Sequence, residues 1–224
     1  MLSSPCALKT NFIDYISTNG FPCVAAKDAA RRGSIKIFVA DHMGCPHKDE
    51  AILSFLYEFT KAFRKKSKGF HSAAIIFPEP AVINEDLFEE LMWARLNALH
   101  EADKLLFCHD TRVDADPSSP NYSFSLMAEA FFIIGLHPQN SRPSRRFECP
   151  VLIFNPHIQF EDMRKTKQYE KMQAVVRKKD IAIAGSVNPM LTDFGNVSEV
   201  FQYSGRAYSN TDRCPFKLNN HESN

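Results

Sequence analysis

Residues 122–157 read YSFSLMAEAFFIIGLHPQNSRPSRRFECPVLIFNPH. Two oily runs, 122–138 and 149–157, look like strands, and an arginine-rich segment joins them. A His-Pro pair closes the first run, and Arg142, Arg145 and Arg146 follow it. Along the rest of the chain strands and helices do not alternate strictly, and no βαβ fingerprint occurs. The expected fold class is therefore α+β, a largely antiparallel sheet flanked by helices.

Working outward, GSIKIFVADHM (33–43) alternates as a strand, with Ile35, Ile37 and Val39 facing one way, and HSAAIIFPE (71–79) reads as a buried strand. DEAILSFLYEFTKAFRKKSKGF (49–70) repeats apolar residues at three and four, opens on acids and closes on RKKSKG, which suits a helix and its dipole. NEDLFEELMWARLNALHEAD (84–103) predicts a second helix with Asn84 as its cap. NFIDYISTNGFPC (11–23) predicts a short helix stopped by Gly20 and Pro22, and QFEDMRKTKQYEKMQAVVRKKD (159–180) a further one. KLLFCHD (104–110) fits a short strand, and DADPSSPNY (114–122) is a loop. The chain organises as one domain over residues 1–216, followed by a flexible tail, 217–224.

Composition sets limits. Of 224 residues 44% are apolar, enough for a sizeable core, and 19 phenylalanines against one tryptophan could line a flat apolar cavity as readily as fill a core. Twenty-seven basic and 26 acidic residues leave a net charge of +1, which argues against non-specific nucleic-acid binding. No stretch approaches the roughly 20 apolar residues of a membrane span, and the start, MLSSPCALKTNF, lacks the pattern of a signal peptide, so a cytoplasmic protein without membrane partners is expected. The six cysteines contain no CxxC and are read as reduced thiols. The isolated DFG at 193–195 lacks the other kinase motifs, and DHMGCPH (41–47) lacks a second ligand pair for zinc. Eight glycines without GxGxxG make nicotinamide or flavin binding of the usual kind improbable.

His137 stands where a rigid apolar strand meets solvent, and Pro138 restricts its backbone. A neutral imidazole there can bind a metal, and the arginines behind it can neutralise the carboxylates of a flat, amphiphilic ligand such as a porphyrin. The competing reading is a hydrogen-bonded turn histidine followed by surface ion pairs. On the residues alone both stay open.

FPCVAAKDAARRG, GLHPQNSR, FNPHIQFEDMR, NPMLTDFG, QYSGR and CPF occur in an order that resembles the YqcI/YcgG family, from about residue 20 to residue 216. The family includes heme-dependent N-hydroxylases of guanidine groups. The resemblance implies heme b, O2 as co-substrate, an electron-donor reductase and a small guanidine or amine substrate such as arginine, with a homodimer as the expected assembly. It implies His137 as axial ligand, with His157, Cys23, Cys149 and Cys214 as alternatives; a thiolate would favour O–O cleavage. Arg142, Arg145, Arg146, Tyr203 and Arg206 would bind propionates or a substrate carboxylate. Asp193 and Glu199 would be the catalytic carboxylates that hold the guanidinium, with Glu161 and Asn188 also binding the substrate. Asn140-Ser141-Arg142 stands where the family pattern has Ser-Ser-Arg, and TDRCPF lacks an aromatic before CPF; both bear on substrate choice. The alternative function is a non-catalytic heme sensor or carrier, which the Cys-Pro pairs at Cys45, Cys149 and Cys214 would suit.

Overall fold

The computed structural model describes residues 4–65, 69–81, 83–186, 194–208 and 216. Its strands are β1 (Ile35–Val39), β2 (Ser72–Ile76), β3 (Phe124–Leu126), β4 (Glu129–Leu136) and β5 (Val151–Pro156). They form one sheet in the order β1-β2-β5-β4-β3, parallel only between β1 and β2. The helices are α1 (Pro5–Ser17), α2 (Val24–Arg31), α3 (Asp49–Lys65), α4 (Glu85–Asp103), α5 (Ile158–Lys165), α6 (Tyr169–Ala184) and α7 (Val200–Tyr203), with short 3-10 turns at Pro46–Lys48 and Pro143–Arg145. This is the expected α+β fold. Among the described residues no helix is long and apolar enough to cross a membrane, and Cys6, Cys23, Cys45, Cys108 and Cys149 are free thiols.

β5 sits in the middle of the sheet, buried along its whole length between β2 and β4. Successive side chains of a strand point to opposite faces. On one face Ala73, Ile75, Phe131, Ile133, Leu152 and Phe154 join the core made with α3 and α4. On the other, Ile76, Leu136, Val151 and Ile153 meet α1 and α2. Gly135 allows α4 to come close: a Cβ there would lie 2.6 Å from the Phe88 ring and 3.0 Å from the Tyr203 carbonyl.

Four local expectations change. The run 122–138 is a hairpin rather than one strand, turning at Met127 and Ala128, whose φ values are 54° and 51°. Two-residue hairpins take this double left-handed turn because its twist matches the strands, but they normally use Asn-Gly, so no turn residue marks it in the sequence. Long-range partners hold it. Arg64 Nη2 donates to the carbonyls of Met127 (2.7 Å) and Ala128 (2.9 Å), and Asp103 Oδ1 accepts from the Met127 amide (2.9 Å). Residues 104–110 form turn and irregular chain, not a strand, with Leu105 and Leu106 exposed. α1 begins at Pro5, capped by Ser4 Oγ, instead of near Asn11. The helix expected over 159–180 is two helices, α5 and α6, broken where Lys167 takes φ 53°.

Left-handed non-glycine residues cost about 1 kcal/mol or more each. Replacing Met127 and Ala128 together by Asn-Gly is expected to raise stability by about 1–2 kcal/mol in urea unfolding, and Arg64→Ala to lower it by a similar amount.

Candidate functional site

α6 does not pack directly on a strand as α3 does. Its neighbours are α2, α5 and the turn at Pro143–Arg145, and a slot of about 240 Å³ remains between it and the sheet. The floor is the second face of β4 and β5: Phe132, Ile134, Leu136, Ile153 and Asn155. The roof is the α6 stripe Tyr169, Met172, Gln173, Val176, Arg177 and Asp180, at three- and four-residue spacing on one helix face. From Phe132 to Leu136 β4 advances about 13 Å at about 3.3 Å per residue. From Tyr169 to Asp180 the helix advances about 16 Å at 1.5 Å per residue. The two surfaces are therefore of comparable length.

One end of the slot carries an imidazole and a carboxyl. His157 ends β5 and enters α5, with its backbone N–H donating to the Ala130 carbonyl at 2.8 Å. Its buried ring lies 4.4 Å from the Phe194 ring and makes no hydrogen bond to a described residue. Its nearest charged neighbour is Glu161 Oε1, 3.9 Å from Nε2. Burial pushes the imidazole down to about 4 against the pull of Glu161, so it is neutral at physiological pH. Glu199, at the start of α7, is buried and lines the same end. Its Oε1 accepts from Ser123 Oγ (2.6 Å) and from the Tyr203 hydroxyl (2.5 Å), and Oε2 has no partner among the described residues. Burial pushes its carboxyl up to about 8, against those two bonds and the Arg164 charge. Arg164 pairs with Glu161 and lies over the rings of Tyr169 and Phe194.

The opposite end is basic. Arg145 is buried, donates to the Tyr203 carbonyl at 3.0 Å, and burial lowers it to about 10. Gly205, at φ 83°, makes room for it; a Cβ there would sit 2.6 Å from Arg145 Cδ. Arg142 pairs with Asp180, and Ser144 Oγ donates to the same carboxylate at 3.3 Å. Cys23 also lines the slot, its thiol raised by burial.

Sheet parity separates the expected ligand from this slot. His137 follows Leu136, so its ring falls on the other face, stacked on Phe88 at 4.5 Å. Its Nε2 lies 3.0 Å from the Asn140 amide nitrogen, which can only donate, so the lone pair is occupied and the ring proton sits on Nδ1. His137 is thus placed as a packed core residue, although its buried Nδ1 has no hydrogen-bond partner among the described residues, and burial lowers it to about 4. Arg146 binds the Asn140 and Ser141 carbonyls and shapes the turn. Arg206 pairs with Asp86 and Glu89 on α4, away from the slot. Cys149 is buried in the α1-side core, which raises it to about 12, and Tyr203 acts through Glu199. Glu161 stands beside His157 and is paired with Arg164. Asn188, Asp193 and Cys214 lie outside the described residues. Of the expected set, the slot gathers His157, Cys23, Arg145 and Glu199. It adds Arg164 from α5, and Arg177 and Asp180 from α6, where charge at helical spacing on an otherwise half-apolar helix could have signalled the last two.

The family model for YqcI/YcgG matches residues 12–217. The chain belongs to the YqcI/YcgG family. Over 209 residues it is 28% identical to "Uncharacterized protein YqcI" of Bacillus subtilis (strain 168), covering 88% of this chain and 81% of that protein. No solved structure matches. The family match takes in every residue that lines the slot, from Phe12 to Gln202.

The slot's two perturbed groups have opposite effects on stability. His157 binds fewer protons folded than unfolded between pH 6.5 and about 4, so its contribution is present above 6.5 and lost as pH falls. Glu199 binds more protons folded between 4.5 and about 8, so its contribution is present below 4.5 and lost as pH rises to about 8. In urea titrations from pH 4 to 9, the stability of Glu199→Gln relative to the parent is expected to climb over pH 4.5–8 and then level. The His157→Asn difference should change only below about pH 6.5, each with a slope of at most about 1.4 kcal/mol per pH unit.

Proposed function

We propose that the slot holds heme b and that the protein is a heme-dependent oxygenase, N-hydroxylating a guanidine or amine of a small amino-acid-like substrate. The observation that carries this reading is His157: a buried, neutral imidazole, without a hydrogen bond to a described residue, opening into an apolar slot. Among the described residues no three His, Cys, Asp or Glu side chains converge as a metal cage would require. A porphyrin brings four nitrogens of its own and asks the protein for an axial donor. His157 would hold the iron, with Cys23 as the thiol alternative in the same slot. The aromatic and aliphatic walls suit an apolar disc, and the basic end suits carboxylates.

When bound, the heme would supply dioxygen activation, with two electrons from an external reductase and two protons, one oxygen atom entering the N–H bond and the other leaving as water. The chain's residues do the rest. Glu199 supplies a carboxyl at the imidazole end, held by Ser123 and Tyr203 through Oε1 so that Oε2 is free to meet a guanidinium. A cation arriving beside it favours the carboxylate, so binding drives the Glu199 proton off. α6 and the Phe132–Phe160 pair exclude water from that end.

The decisive measurement is an absorption spectrum of the purified protein, oxidised, reduced and with carbon monoxide. A nitrogen-ligated heme lost in His157→Ala but retained in His137→Phe is expected. A thiolate-type carbon monoxide spectrum would move the ligand to Cys23, and a colourless protein from heme-replete cells would remove the reading. Heme without product on adding substrate and reductant would leave a carrier or sensor. Calorimetry of arginine binding in buffers of different ionisation enthalpy should detect release of close to one proton at pH 7, absent in Glu199→Gln, since the free carboxyl titrates near 8.

A further inference from the structure

Among the described residues, the basic end of the slot is lined by Arg145, Arg177 and Asp180, and Arg142 reaches Asp180 from behind the lining. Asp180 is turned toward Arg142 and Ser144. Arg142 also donates to the Ser186 carbonyl at 2.8 Å, and Arg145 to the Tyr203 carbonyl at 3.0 Å. Arg177, one turn before Asp180 on the slot-facing stripe of α6, makes no hydrogen bond or ion pair with a described residue. Its Nε is shut away from water and has no acceptor among the described residues. A guanidinium N–H buried in this way is costly unless something outside the chain satisfies it.

We propose that Arg177 docks a carboxylate carried by the slot's occupant, and that α6 closes over the ligand through this contact. The inference rests on the reading that the slot is a ligand site, but not on which ligand fills it. The Nε–Nη edge of one guanidinium offers two parallel donors, the match for the two oxygens of a carboxylate. Arg145 is committed to the Tyr203 carbonyl, and Arg142 to Asp180 and the Ser186 carbonyl; Arg142 Nε also lacks a partner among the described residues, but Arg142 does not line the slot, so both supply background positive charge. The docking group also sits on the element best placed to respond. α6 touches α2, α5 and the turn at Pro143–Arg145 and leaves the slot beneath it, so a ligand gripped by Arg177 adds a tie between the roof and the floor.

Two sources can present that carboxylate, a porphyrin propionate or the carboxylate of a small amino-acid substrate. Apo protein, Arg177→Met and Arg177→Lys, each checked for folding by circular dichroism, would be titrated with hemin and hemin dimethyl ester by absorbance. The same three proteins would be titrated with L-arginine and L-argininamide by calorimetry. At least one carboxylate probe should bind the parent about tenfold or more tightly than Arg177→Met, with partial recovery in Arg177→Lys. Its ester or amide should bind all three alike, and amide exchange in α6 should slow with the carboxylate form alone. Loss confined to hemin assigns a propionate; loss confined to arginine assigns the substrate carboxylate. If hemin does not bind the parent but arginine shows the loss, the carboxylate site stands and the heme reading falls. If both carboxylate probes bind Arg177→Met as they bind the parent, or neither binds the parent, the proposal is overturned.

Discussion

The arrangement depends on β5, a strand with neighbours on both edges and cover on both faces. Because strand side chains alternate, each residue of β5 and β4 must serve one of two layers. Toward α3 and α4 the alternation yields a solid aromatic core, Phe124, Phe131 and Phe154 packing edge to face. Toward the other side it yields the floor of a slot, because α6 is held off by docking on α5, α2 and the Pro143–Arg145 turn. The polar floor residue Asn155 is satisfied by Ser72 Oγ (2.7 Å) and the Phe132 carbonyl (3.2 Å), so the floor is polar only where polarity is already paired.

Burial in this slot drives its two titratable groups toward neutrality. His157 and Glu199 are shifted by the same loss of hydration, one down and one up, which leaves these two groups uncharged at neutral pH beside the Arg164–Glu161 ion pair. The opposite end stays positive, because guanidinium groups do not give up their protons in this range. A polarity along about 16 Å of slot follows from this difference in intrinsic basicity.

The C-terminal segment ties the two layers together. Tyr203 reaches the Phe124 amide (3.2 Å) and the Glu199 carboxyl, and its carbonyl receives Arg145. Arg206 and Tyr208 then anchor on Glu89 of α4, which also accepts from Trp93 Nε1 at 3.3 Å. Residues of α7 and the turn after it thus hold Glu199 and Arg145, one at each end of the slot, against the solid face of the protein.

Periodicity alone determined much of this chain. The strands at Ile35–Val39, Ser72–Ile76 and Val151–Pro156, the helices α3 and α4 with the Asn84 cap, and the antiparallel bias are local patterns of burial and capping. The Met127–Ala128 turn was not legible, because its support comes from Arg64 and Asp103, distant in sequence. Glu199, Arg145, Cys23 and His157 were visible as chemically capable residues, but nothing local distinguishes them from His137, Arg146 or Arg206. That choice belongs to the tertiary structure. One residue's step along β4 turns His137 away from the slot, the antiparallel pairing brings His157 level with the Ala130 carbonyl, and the α6 stripe delivers Arg177 with no acceptor for its Nε among the described residues. Sequence carries the period of each element; which face meets which partner is decided only when the elements pack.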